Sequence, residues 1–170
     1  MLQFDINKDK AVNALLYVSE NLKKPDTHKV FKILYFADKK HLYEYGRPIS
    51  GDTYIKMDYG PVPSFIRDVV EEKINGLEEI VAKYHKYFIK SLQKAETEYL
   101  SESDLNCLDE AIIENKNLSF EELTKKSHDK AYNKSNWQID YLDMANAEGK
   151  DVKKINFITE QLLNERIEFE

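Results

Sequence analysis

A chain of 170 residues with 42% hydrophobic and 33% charged side chains suits one globular domain, and its lone Cys107 excludes an internal disulfide or an all-cysteine metal site. The net charge of −6 lies wholly in the second half: residues 1–85 carry 13 cationic and 13 anionic side chains, residues 86–170 carry 12 and 18, so the concentrated cations that phosphate-backbone binding needs are not expected. No run approaches the roughly 18 apolar residues of a membrane span, and the start MLQFDINKDK lacks the layout of a secretory signal, which points to a cytoplasmic protein with no membrane partner.

A first helix is expected behind a cap at Asp5, Asn7 or Asp9, with Ala11, Ala14, Leu15, Val18 and Leu22 at steps of three and four, ending at Lys23-Lys24-Pro25. Asp26 or Thr27 caps a second helix that runs to about Tyr45 and stops at Gly46. Val30, Ile33, Leu34, Ala37, His41 and Tyr45 share one face, widened by Phe31, Tyr35 and Leu42, while Lys29, Lys32, Lys39 and Lys40 crowd the remaining sector. So wide an apolar arc predicts a central helix. Residues 53–59 alternate as a short strand; the prolines of Gly60-Pro-Val-Pro63 read as a stiff corner, followed by a third helix from Ser64 to about Lys73. Asn75-Gly76 is a turn, and residues 79–92 are read as two short strands.

Ser101 with Asp104, and Ser119 with Glu122, open two further helices as capping boxes. A polar loop is expected from Ser127 to Trp137, then a short helix over 141–147 ending at Gly149, and a last helix capped by Asp151 whose tail frays. The fold class expected is mainly α with a small β element, a compact single-domain helical bundle over residues 1–170 with its core at about 8–165.

None of the candidate groups forms a catalytic or metal-binding constellation, and no cofactor is expected. His28, His41, His85 and His128 lack metal-ligand spacing. His41 follows Asp38 by one turn, which leaves an oriented acid–base pair or a core histidine held by a carboxylate or carbonyl. Asp38 itself reads as an anchor for a partner's cation or as an internal link to a tyrosine or amide near residue 50. Tyr35, Tyr43, Tyr54 and Tyr59 suit a contact patch, because tyrosine joins a stiff surface to a hydrogen-bonding tip, though an ordinary core uses tyrosines too. His128 and Trp137 either flank a small pocket or seal the C-terminal helices over the core. Cys107, without nearby cations, reads as a passive thiol.

The run K-I-L-Y-F-A-D at 32–38, then Tyr45-Gly-Arg-Pro-Ile49, then Tyr59-Gly-Pro-Val-Pro63 resembles the Panacea domain, also described as a phage-associated or SocA-like antitoxin domain. The second half agrees through Leu100-Ser101, Asp104, Leu108-Asp109, Leu118-Ser119, Glu122-Leu123, Ser127-His128 and Trp137. The resemblance implies an antitoxin of a bacterial or phage toxin–antitoxin pair, not an enzyme, that neutralises a cognate toxin encoded by the adjacent gene through direct binding. It also leaves room for an adaptor that presents the toxin to an ATP-dependent protease, with the acidic half or the IEFE tail as the protease contact. A small ligand-binding protein or enzyme built on His41 and Asp38 is the remaining alternative. On the first reading Tyr35, Asp38, Tyr43, Tyr54, Tyr59 and Pro61 meet the partner, and His41, Gly60, Pro63, His128 and Trp137 support the fold.

Overall fold

The computed structural model describes residue 1 and residues 3–167; the last three residues of the IEFE tail, 168–170, lie outside the described residues. The first helix, α1 (Lys8–Glu20), starts where the Asn7 side chain accepts from Lys10 N at 3.0 Å, and it buries Ala11, Ala14, Leu15, Leu16 and Val18. The second, α2 (Thr27–Tyr45), is capped by Asp26 and released at Gly46, whose φ of 82° is a left-handed value suited to glycine. α2 is the hub: it packs against α1, against one strand that follows and against four of the later helices. Its supposed polar sector is not an outer face, since Lys39 is buried and Lys32 is only 1% exposed.

Beyond α2, β1 (Tyr54–Met57) and β2 (Gly60–Pro63) form an antiparallel hairpin with Asp58 and Tyr59 at its tip. The stiff corner expected at Gly60–Pro63 is therefore a strand. Two prolines are tolerated in it for a geometric reason. Lys56 N donates to Trp137 O at 2.7 Å and Tyr54 O accepts from Ile139 N at 2.9 Å, so both residues turn their backbone groups away from β2. Their partners in register, Pro61 and Pro63, thus sit where the ladder asks for no N–H. The third helix, α3 (Ser64–Val70), follows at once and ends before the Lys73 expected. Its first amides are met from outside the helix: the buried Asp52 carboxylate accepts from Phe65 N at 2.9 Å and Ile66 N at 3.0 Å.

A second antiparallel hairpin joins β3 (Val81–Tyr84) to β4 (Phe88–Ser91). It is fastened to the start of α2 by Thr27 N to Tyr87 O and Ile89 N to Pro25 O, both 2.8 Å.

After a 3-10 turn at Thr97–Tyr99, α4 (Glu102–Asn115) and α5 (Phe120–Ser127) open with the two reciprocal capping boxes, Ser101 with Asp104 and Ser119 with Glu122. The polar stretch read as a loop contains α6 (Lys130–Lys134), started by the Asp129 side chain accepting from Tyr132 N at 3.0 Å. Five residues are too few to show a period, which is why the pattern missed it. Then come α7 (Tyr141–Glu148) and α8 (Val152–Ile167). The chain is thus mainly helical, with two small sheets among the described residues.

Two supporting roles need correction or detail. Trp137 does not seal the core: it is 67% exposed, because its backbone serves as a neighbour to β1 while its ring points out. His128 is half-buried and stacks on Tyr132 with ring centroids 4.1 Å apart.

Gly60 has a φ of 115°, and a Cβ there would fall on Ser127 Oγ and Lys32 Cε. Gly60→Ala is expected to cost about 2 kcal/mol or more from backbone strain and crowding, lowering Tm by roughly 4–8 °C in a thermal melt. An unchanged Tm would remove this contact from the fold's essentials.

Candidate functional site

Most of the expected partner contacts face inward. Tyr35, Asp38 and Tyr54 are buried, and the structure takes the internal alternative for Asp38: its carboxylate accepts from Tyr54 Oη at 2.5 Å and Ile49 N at 2.7 Å. Tyr35 Oη donates to Asp129 at 2.9 Å, and its ring meets that of Tyr54 edge-on at 5.2 Å. A partner does not reach these three, because the wide apolar arc of α2 is covered by the chain's own elements. Pro61 is also buried, its carbonyl accepting from Lys32 Nζ at 2.8 Å. Tyr43 is half-buried and fastens the start of α8, accepting from Asp151 N at 3.1 Å beneath the Lys154 amine. Tyr59, 61% exposed, is the one of the six that stands free on the surface.

Asp38 and His41 do not pair either. His41 Nδ1 lies 2.7 Å from Arg47 O, and Nε2 lies 2.9 Å from Ser103 Oγ and 3.2 Å from the Asp104 carboxylate. Burial, helped by the Arg47 charge, keeps the imidazole pKa below its usual value. Burial would raise that of Asp104, but Lys10 at 2.6 Å, the Ser101 amide and Arg47 outweigh it and hold the carboxyl low. This is a satisfied structural cluster joining α1, α2 and α4.

The surface does have a concave site, a cleft of about 1030 Å³ bounded by the start of α2, the β1–β2 tip, α3, β4 and the start of α5. Its rim carries large exposed side chains: Tyr59, Met57 at the same hairpin tip, Tyr87 beside β4, and Phe120 at the first position of α5, 46% exposed. Phe120 stacks on His28 with centroids 4.0 Å apart and meets Tyr59 edge-on at 5.1 Å. His28 Nε2 lies 3.2 Å from Tyr59 O and 3.0 Å from Thr124 Oγ1, so it links the hairpin tip to α5. Burial and the Lys32 charge push the His28 pKa down to about 4, which keeps the ring neutral near pH 7. On the floor, burial brings the Lys32 amine down to about 7.

Of these, only Tyr59 was singled out from sequence. Phe120 did carry a signal, an aromatic at the first helical position directly after a capping serine, where a solvated polar residue is ordinary. Such an arrangement can clasp an apolar side chain, because exposed aromatics held by neighbours lose little freedom on contact. Among the described residues, no three His, Cys, Asp or Glu side chains are grouped to hold a metal, and no helix is long and apolar enough to cross a membrane.

A family model described as antitoxin SocA-like, Panacea domain, matches residues 30–138, a span that contains Tyr59, Tyr87 and Phe120. No curated protein and no solved structure matches the chain.

The buried carboxylates give the fold a pH signature. Burial pushes Asp38 and Asp52 up from 3.8 to about 6, against the hydrogen bonds that each accepts. Because the folded value exceeds the unfolded one, Asp38 takes up its proton earlier in the folded state. Its contribution to stability is full below pH 3.8 and is lost as pH rises through about 6. Asp38→Asn lacks this term. The stability of wild type minus that of Asp38→Asn is therefore expected to rise by on the order of 2 kcal/mol as pH falls from about 7 to about 4, read by urea denaturation. A difference that falls toward acid would show that Asp38 is not a destabilised buried anion.

Proposed function

The chain belongs to the SocA-like, Panacea domain family of antitoxins, and we propose that it neutralises a cognate protein toxin by direct binding, without catalysing a reaction. The observation that carries this reading is the aromatic rim at Tyr59, Tyr87 and Phe120, exposed on a cleft whose walls are already ordered. Buried aromatic anchors supply much of the affinity in protein interfaces, and an ordered surface loses less entropy on association. Neutralisation calls for tight binding; nanomolar affinity corresponds to about −12 kcal/mol. Two or three anchors at about 2 kcal/mol or more each are a large part of that.

The test pairs this chain with the product of the adjacent gene. Expressed alone, that product is expected to arrest growth, and this chain to relieve the arrest while forming a complex that survives size exclusion. Tyr59→Ala/Phe120→Ala is expected to abolish relief and weaken the complex about 100-fold or more, with Tm within about 3 °C of wild type. Full relief by the double variant would take the rim out of the interface. Toxin whose half-life collapses only when an ATP-dependent protease is present would favour delivery over sequestration.

A further inference from the structure

The cleft differs from the rest of the molecule in how its cations are satisfied. Lys29, Lys32, Lys56 and Arg67 line it. The three amines donate to main-chain carbonyls: Lys29 to Lys116 O at 2.7 Å, Lys32 to Pro61 O at 2.8 Å and Lys56 to Ser135 O at 2.9 Å. Arg67 Nε is buried with no hydrogen-bond acceptor among the described residues, the Asp68 carboxylate standing 3.8 Å away. A carbonyl fixes the position of an ammonium group but does not neutralise it. Three carboxylates share the lining with these cations: Asp58, Glu71, which Lys83 pairs from outside the cleft at 2.7 Å, and Asp26, which the amide of Lys29 holds in place without neutralising it. Other lysines that fold onto the body meet carboxylates directly, as Lys10 does on Asp104, Lys39 on Asp129 and Lys40 on Glu110. With Glu71 countered by Lys83, the lining keeps a small excess of positive charge in a chain of net charge −6.

Resting on the direct-binding reading above, we propose that the cleft takes from the toxin a segment in which an aromatic or aliphatic side chain stands beside one or more carboxylates. The apolar group lies against Tyr59 and Phe120, and the carboxylates meet Lys56 and Arg67 at the wall. Two features favour such a peptide over a nucleic acid. At about 1030 Å³ the cleft has room for several side chains, at the top of the range for small-ligand pockets. The acidic body repels a polyanion along its length, whereas it attracts a basic protein that confines its carboxylates to one segment.

The experiment uses the adjacent gene's product, purified, with dissociation constants measured at about 50 and about 300 mM NaCl. Lys56→Gln/Arg67→Gln is expected to weaken binding about 10-fold and Lys56→Glu/Arg67→Glu about 100-fold or more at the lower salt, the gap closing at the higher. Lys150→Glu/Lys153→Glu, at the exposed beginning of α8, is expected to change binding less than about 2-fold. Thermal melts check that each variant is folded, and the glutamine pair serves if the glutamate pair is not. Tight wild-type binding that the glutamate pair leaves unchanged or strengthens overturns this proposal and leaves direct binding standing. Displacement of the toxin by a short single-stranded DNA overturns it as well, in favour of a phosphate site. No complex with the wild-type chain removes both.

Discussion

A helix covered along most of its circumference cannot leave a polar side chain without a partner, and α2 carries Lys32, Asp38, Lys39 and His41 inside. Each is satisfied by a different stretch of chain. The carbonyl of Pro61 in β2 meets Lys32; Ile49 and Tyr54 meet Asp38; Asp129 at the start of α6 meets Lys39; Arg47 and the Ser103–Asp104 turn of α4 meet His41. Apolar packing tolerates small rotations of one element against another. A buried charge with a single good acceptor does not. The hairpin and the helices α4 and α6 are therefore placed around α2 by directional bonds as well as by the apolar contacts of the core.

Local signals in the sequence read well where the physics is local. The caps at Asp26, Ser101 and Ser119, the stop at Gly46 and the two strands within residues 79–92 all depend on neighbours a few positions away. The errors have the opposite character. Pro61 and Pro63 fit in a strand because both fall opposite residues of β1 whose backbone groups point away from β2, and no pattern within 58–63 carries that register. Lys32 reads as solvated until the hairpin closes over it. The polar tips of the tyrosines suit them to a contact patch, yet Tyr35 and Tyr54 have their hydroxyls satisfied by Asp129 and Asp38 and need no water. The cleft draws its walls from residues 26–32, 56–71, 87–88 and 118–123, a juxtaposition that periodicity cannot express.

The division of labour among aromatics follows from those placements. Inner rings at Tyr35, Tyr54 and Tyr141 hold the body together, each hydroxyl bonded within the chain. Outer rings at Tyr59, Tyr87 and Phe120 stand where five segments converge, and neutral His28 bridges two of those segments. The inner set makes the outer set rigid. In a protein of this antitoxin family, that order lets the exposed rings keep their places around the cleft, so the surface is present before any partner arrives.

The seam between α2 and α8 works by a different device. The Phe157 ring of α8 lies against Gly46 at the end of α2, and the Tyr43 ring of α2 lies against Gly149 just before α8. Each element thus offers a ring to the other's bare backbone, like two crossed buttons in opposite buttonholes. Sliding α8 by one residue would drive both rings into side chains at once, so the seam has a single register. The beginning of α8 is thus tied to the end of α2 at two points, and a side chain at either glycine would push its ring off the seam.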